Sequence, residues 1–166
     1  MTEAEKTYGK WFIMWFDKQG VFQRIDAPEG VFYADPMPVK HNTRMHVFFE
    51  LFDYQKGRLA YFTLENSVPK LLDIDIPCHA SYPYVFRYQD KYYMIPETCQ
   101  LNKINLYECV EFPIKWRFNK TLINNIHAAD TSILYFNGLW YLFTIKYIAG
   151  VKKFCIFYSS DIFSEW

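Results

Sequence analysis

Three short stretches of this chain open in the same way: Phe32-Tyr-Ala-Asp-Pro36, His79-Ala-Ser-Tyr-Pro83 and His127-Ala-Ala-Asp-Thr131. Each leads into an apolar, aromatic run, and a second such run follows about ten residues later. Aligning Asp35, Tyr82 and Asp130 gives separations of 47 and 48 residues. A fixed period of this length, filled with short strands, is the signature of propeller blades, which are antiparallel sheets set around one axis. Asn137-Gly138 between two apolar runs is the strongest hairpin signal in the chain. No stretch carries a helical period. The expected fold is all-β: a β-propeller with about three four-stranded antiparallel blades, an incomplete ring.

The organisation follows from the turns. Residues 1–27 read as a lead-in hairpin, with residues 1–7 frayed, strands at 9–16 and 21–25, and Asp17–Gly20 as the turn. Residues 28–166 read as the partial propeller, with blades at about 31–77, 78–125 and 126–166. In the first blade the outer strand is expected at Lys70–Ile76. A fourth strand of the third blade would be due at Trp166, so the chain reads as a fragment, its C-terminal blades or an adjoining transferase domain being the expected partners.

Composition closes off several function classes. Eighteen basic residues balance 18 acidic ones and no basic run stands out, which argues against a nucleic-acid surface. No apolar run reaches the ~18 residues of a membrane span. Met1–Lys10 is polar and no signal-peptide core follows, so the chain as given reads as cytoplasmic. Cys78, Cys99, Cys109 and Cys155 form no C-x-x-C pair and no zinc spacing, and read as buried thiols; no metal or cofactor is expected. Asn119-Lys-Thr121 matches a glycosylation sequon by chance. The 21% aromatic content suits strands, and leaves rings to spare for a sugar cleft.

Hairpin geometry gathers the polar residues. The first strand of a blade starts at the mouth where the antiparallel second strand ends. Asp35 therefore shares a rim with Glu50, 15 residues on, and Tyr82 with Glu97, again 15 residues on. In the third blade Asp130 faces Thr144 or Ile145, and His79 and His127 each sit three residues ahead of the repeat position. Asp35, Glu50, Glu97, Asp130, His79 and His127 should meet at one mouth, with Tyr82 and Tyr33 beside them. Paired carboxyl groups with proton affinities pushed apart are what glycoside hydrolysis needs. The same group can hydrogen-bond sugar hydroxyls without chemistry, hold a cation, or simply decorate a structural rim.

Tyr33-Ala-Asp-Pro36, His79-Ala-Ser-Tyr-Pro-Tyr84, Met94-Ile-Pro-Glu-Thr98, Ala129-Asp-Thr131 and Trp140-Tyr-Leu-Phe-Thr144 together resemble the β-propeller domain at the N-terminal side of glucosamine inositolphosphorylceramide transferases. The resemblance covers about residues 9–166. Bacterial relatives carry the domain beside formyltransferase-like or glycosyltransferase-like segments. More distantly the chain is similar to five-bladed glycosidases of the arabinanase and xylosidase type, and to invertases. The resemblance to those glycosidases implies a base or nucleophile at Asp35 and a second Asp, which tunes the acid, at Asp130. Their general acid is a Glu from a later strand, for which Glu97 is the candidate here. The resemblance to the transferases implies that a separate domain transfers the sugar, while the propeller recognises carbohydrate or acts as a scaffold.

Overall fold

The computed structural model describes residues 9–164 and 166. The expectation for residues 1–7 lies outside them. Four antiparallel sheets follow one another along the chain. The first is a hairpin of β1 (Ile13–Phe16) and β2 (Phe22–Ile25). Blade one contains β3 (Phe32–His41), β4 (Arg44–Phe52), β5 (Gly57–Thr63) and β6 (Asn66–Leu71). Blade two contains β7 (Ser81–Tyr88), β8 (Lys91–Glu97), β9 (Lys103–Glu111) and β10 (Lys115–Asn124), with a 3-10 turn at Cys99–Leu101. Blade three contains β11 (Ala128–Phe136), β12 (Leu139–Ile148) and β13 (Val151–Ser159). No helix of the described residues is long and apolar enough to cross a membrane. The result is an open arc of a β-propeller of the five-bladed glycosidase type.

Local chemistry explains the tight turns. Gln89 and Asp90 both take positive φ, as do Asn137 and Gly138, and each pair closes a two-residue hairpin whose twist matches its strands. Ala149-Gly150 does the same between β12 and β13.

One strand is not where the sequence placed it. The outer strand of blade one is Asn66–Leu71, not Lys70–Ile76. Thr63 pairs with Asn66 across a tight turn, so the return begins early, and Pro69 is tolerated because this is the edge strand. The apolar alternation at Leu72, Ile74 and Ile76 has another purpose. This segment leaves the sheet and crosses to blade two, where Asp73 N–H donates to the Ile114 carbonyl and Trp116 N–H donates back to Asp73 at 2.9 Å each. Its apolar side chains fill the joint between the blades.

Each joint has its own core. Ile13, Ile25 and Trp15 of the hairpin pack on Val47, Phe49, Ala60 and Phe62 of blade one. Phe48, Leu59 and Tyr61 on the other face of blade one meet Val85, Met94 and Tyr107 of blade two. Ile95, Ile104 and Leu106 on the far face of blade two meet Ile133, Trp140 and Leu142 of blade three. Period-2 alternation makes this possible, since successive residues of a strand serve successive joints.

Candidate functional site: a carboxylate rim

The three repeat positions share a backbone distortion that spacing alone did not reveal. Ala34 pairs with Glu50, but Met37 pairs with Phe48, so Asp35 and Pro36 together oppose one residue. The same bulge recurs at Tyr82-Pro83 in β7 and at Asp130-Thr131 in β11. Asp35, Tyr82 and Asp130 have φ of 53°, 43° and 53°. Left-handed geometry at a residue with a Cβ costs about 1–3 kcal/mol and is held only where the surroundings fix it. Bulges of this kind re-aim side chains at barrel rims and active sites.

The joint between blades one and two and the joint between blades two and three each spend a carboxylate on the next blade's bulge. Tyr82 N–H donates to Asp35 Oδ2 at 3.1 Å, and Asp130 N–H donates to Glu97 Oε2 at 3.1 Å. Blade two also reaches blade three through tyrosine hydroxyls, with Tyr82 Oη 2.9 Å from Ser132 Oγ and Tyr84 O–H donating to the Ile133 carbonyl at 2.7 Å. Burial pushes the Asp35 carboxyl up, and the charges of Glu50 and Asp130 add to the rise while Tyr82 N–H and His79 oppose it. Burial likewise raises Glu97, with Asp130 and Asp35 adding repulsion against the Asp130 N–H bond and His79. Asp35, Glu50, His79, Glu97 and Asp130 thus lie within one another's fields.

His79 is fixed by blade one. Its Nδ1 accepts the Gly57 N–H at 2.9 Å, which leaves the proton on Nε2, 3.2 Å from Glu50 Oε1. Glu50 is only 6% exposed, so the imidazole is the polar partner that keeps its carboxylate satisfied. The hydrogen bond to Glu50 draws the proton affinity of His79 up, against burial. A second proton would have to sit on Nδ1, where the Gly57 N–H already points, so charging the ring breaks that bond. Gly57 must be glycine, because a Cβ there would collide with Glu50 Oε1, the Ala80 carbonyl and the His79 ring. Strand spacing alone did not single out Gly57. The signal was a lone glycine opening a strand, which marks close approach of another group. Thr98 was also missed: it follows Glu97, is 2% exposed, and its hydroxyl has no partner among the described residues.

Two predicted site residues belong elsewhere. Tyr33 is buried in the core between hairpin and blade one, its ring edge-on to Phe49 with centroids 4.9 Å apart. It precedes the bulge by two residues, and strand alternation turns it toward the previous joint. His127 is exposed and packs on Tyr147 of its own blade. His79 could reach across because Gly57 offers a bare N–H. Two residues before Ile104, as Gly57 stands two before Leu59, blade two carries Asn102, whose N–H is already given to the Cys99 carbonyl. Blade three also lacks the rim acid: Ile145 stands where Glu50 and Glu97 stand, and Thr144 pins the bulge through Thr131 and the Ala129 carbonyl at 2.9 and 2.8 Å.

A cavity of about 670 Å³ lies at the other end of the strands, between hairpin and blade one, lined by Trp15, Arg24, Arg44 and Glu65 among others and by none of the rim residues. Among the described residues no three His, Cys, Asp or Glu side chains converge tightly enough to hold a metal ion. All four cysteines are free and only half-buried.

Among solved structures, the chain is similar to a family 117 glycoside hydrolase of Zobellia galactanivorans, with a TM-score of 0.62, 10% identity, and 80% of this chain matched to 53% of that one. It is also similar to the RS223 β-xylosidase, with a TM-score of 0.60, 14% identity, and 89% of this chain matched to 65% of that one. At such identities the likeness establishes the fold. Sequence similarity is closer to glucosamine inositolphosphorylceramide transferase 1 of Oryza sativa subsp. japonica, 34% identical over 150 residues, covering 81% of this chain and 19% of the relative. The chain therefore spans about a fifth of that relative's length. Residues 27–166, from the end of the hairpin through all three bulged blades, match the family described as the N-terminal part of glucosamine inositolphosphorylceramide transferase 1, and the chain belongs to that family.

Proposed function

We propose that this domain recognises carbohydrate, or the sugar of a glycoconjugate, for a glycan-modifying transferase rather than carrying out the transfer itself. The observation that supports this reading is the rim. Asp35 and Glu97 each give one oxygen to a backbone N–H of the next blade and keep the other. Glu50, His79 and Tyr82 stand beside them. Carboxylate oxygens held rigidly by the fold are suited to accepting hydrogen bonds from sugar hydroxyls, because their ordering cost is met on folding. The likeness to glycoside hydrolases and the family membership favour a sugar over other polyols.

A hydrolytic reading rests on a different observation. Burial raises the proton affinity of Glu97, the direction that suits a general acid, although Asp35 is raised as well rather than pushed the opposite way. Asp35 would then be base or nucleophile and Glu97 the acid, with Asp130 as modulator.

One set of measurements separates these readings from a purely structural rim. Tryptophan-fluorescence titration and a glycan array are run on the chain and on Asp35→Asn, which keeps an acceptor for Tyr82 N–H. Release of nitrophenol from aryl glycosides is followed in parallel. Saturable binding weakened in Asp35→Asn, without turnover, supports recognition. Turnover abolished in that variant supports hydrolysis. Absence of both leaves only the structural role.

A further inference from the structure

Three turns meet at the end of the strands opposite the rim. They join β1 to β2, β3 to β4 and β5 to β6. Between them lies the cavity of about 670 Å³, a size that suits a small-molecule site. The first turn brings Lys18 to its wall, the ends of β3 and β4 bring Lys40 and Arg44, and the third turn brings Glu65. The chain as a whole balances 18 basic against 18 acidic residues, so this gathering of cations is local.

The neighbouring acids do not neutralise it. Asp17 also lines the cavity, but its carboxylate is spent on its own turn, accepting Gln19 N–H at 3.0 Å, Val21 N–H at 2.8 Å and the Gln23 amide at 3.1 Å. Arg24 is committed to Asp26 and lies 3.7 Å over the Phe12 ring. Lys18, Lys40 and Arg44 make no ion pair among the described residues, and neither does Glu65. Clustered charge of one sign raises the local concentration of the opposite ion.

Two further groups stand ready for a ligand. Trp15 forms one wall, half-buried with its ring on Phe62 at a centroid distance of 5.9 Å. Its indole N–H has no hydrogen-bond partner among the described residues. Arg44 and Glu65 also border a second hollow of about 420 Å³, which His46 lines. His46 is 7% exposed and its Nδ1 has no partner among the described residues. Buried polar atoms are normally paired, so an orphan beside a cavity marks where a bound group completes the bonding.

The geometry points to a binding site for a phosphorylated sugar or polyol in this cavity, with the phosphate on Arg44 and Lys40, the ring against Trp15 and its hydroxyls on Glu65. The arginine fork matches two phosphate oxygens at once. A flat indole covers the C–H face of a sugar ring. Glu65 accepts from hydroxyls and repels a bare polyanion, which gives selectivity for the ester over free phosphate. The site is remote from the rim and does not rest on what the rim binds.

The test titrates the 166-residue chain calorimetrically with glucose 6-phosphate, glucose and inorganic phosphate. Flotation compares phosphatidylcholine vesicles with and without phosphatidylinositol, which carries the same chemistry on a lipid. The ester or the phosphatidylinositol vesicles should bind saturably, the first result assigning a soluble ligand and the second a lipid headgroup. Glucose and inorganic phosphate should each bind about tenfold more weakly than the ester, as for loss of one charge-assisted bond. Lys40→Gln with Arg44→Gln should weaken binding by about tenfold or more. Both side chains are exposed, so the pair should leave Tm unchanged. Arg87→Gln, which removes a cation outside the cavity, should bind as the parent does. The proposal is overturned if neither the ester nor the phosphatidylinositol vesicles bind, or if the double variant binds as tightly as the parent. It is also overturned if glucose or inorganic phosphate binds as tightly as the ester.

Discussion

Blades two and three are built on one plan and differ in what surrounds them. Blade two is covered on both sides, so Met94, Ile95 and Leu106 are each 0% exposed. Blade three buries Leu142 and Ile133 against blade two and shows its opposite face to solvent. The lesson is that a blade's sequence specifies two joints, and the energy of each is realised only when the neighbour is present. The largest predicted effect follows directly. Leu106→Ala should cost about 2–5 kcal/mol in thermal or urea unfolding, as for a fully buried leucine. At the equivalent position, Ile156→Ala should change stability by only about 0.5 kcal/mol. Equal costs at the two sites would mean that the outer face of blade three is packed in solution.

The histidines give the same comparison a sharper edge. His79 and His127 hold matching places in the repeat, yet one is locked between Gly57 and Glu50 and the other lies on Tyr147. Removing His79 leaves a nearly buried carboxylate without its partner, at a cost of about 1–3 kcal/mol. His127→Ala should fall within about 0.5 kcal/mol of the parent. Gly57→Ala should resemble His79→Ala, because the added methyl displaces the ring and the carboxylate together. If Gly57→Ala unfolds normally while His79→Ala is harmless, the bridge across the joint between blades one and two does not hold the rim.

How much of this was readable beforehand depends on the strand. First and second strands kept their spacing, so Asp35, Glu50, Tyr82 and Glu97 could be placed at one rim from counting alone. Third strands did not. Tyr61, Leu106 and Ile156 are equivalent in the sheets but lie 45 and 50 residues apart. The turns before them differ, being residues 53–56 in blade one, the 3-10 turn in blade two and Ala149-Gly150 in blade three. The bulges were invisible because Asp, Tyr and Asp share no propensity that announces a left-handed backbone. Tyr33 was misplaced for the same reason: an inserted residue resets which side chains face which joint. His127 was misplaced because its fate depends on Asn102, a residue in a different blade.

The smallest predicted effect concerns the two staples. Asp35 and Glu97 perform one task, but each is held ionised at a cost, because burial lifts its proton affinity in the fold. A carboxyl whose folded pKa lies above its unfolded value binds more protons when folded. Its contribution therefore favours the fold most below the ordinary value of 4.5 for Glu97, and is progressively lost as pH rises through the raised folded value. Glu97→Gln removes that dependence and keeps a carbonyl oxygen for Asp130 N–H. Stability of this variant should equal or exceed the parent at neutral pH, and the difference should shrink as pH falls toward about 4. His79 also titrates, its proton affinity drawn up by the hydrogen bond to Glu50, so the comparison is best made in a His79→Gln background. A Glu97→Gln chain that is less stable at neutral pH, with the gap narrowing on acidification, would mean that the ionised staple binds the third blade more strongly than its burial opposes.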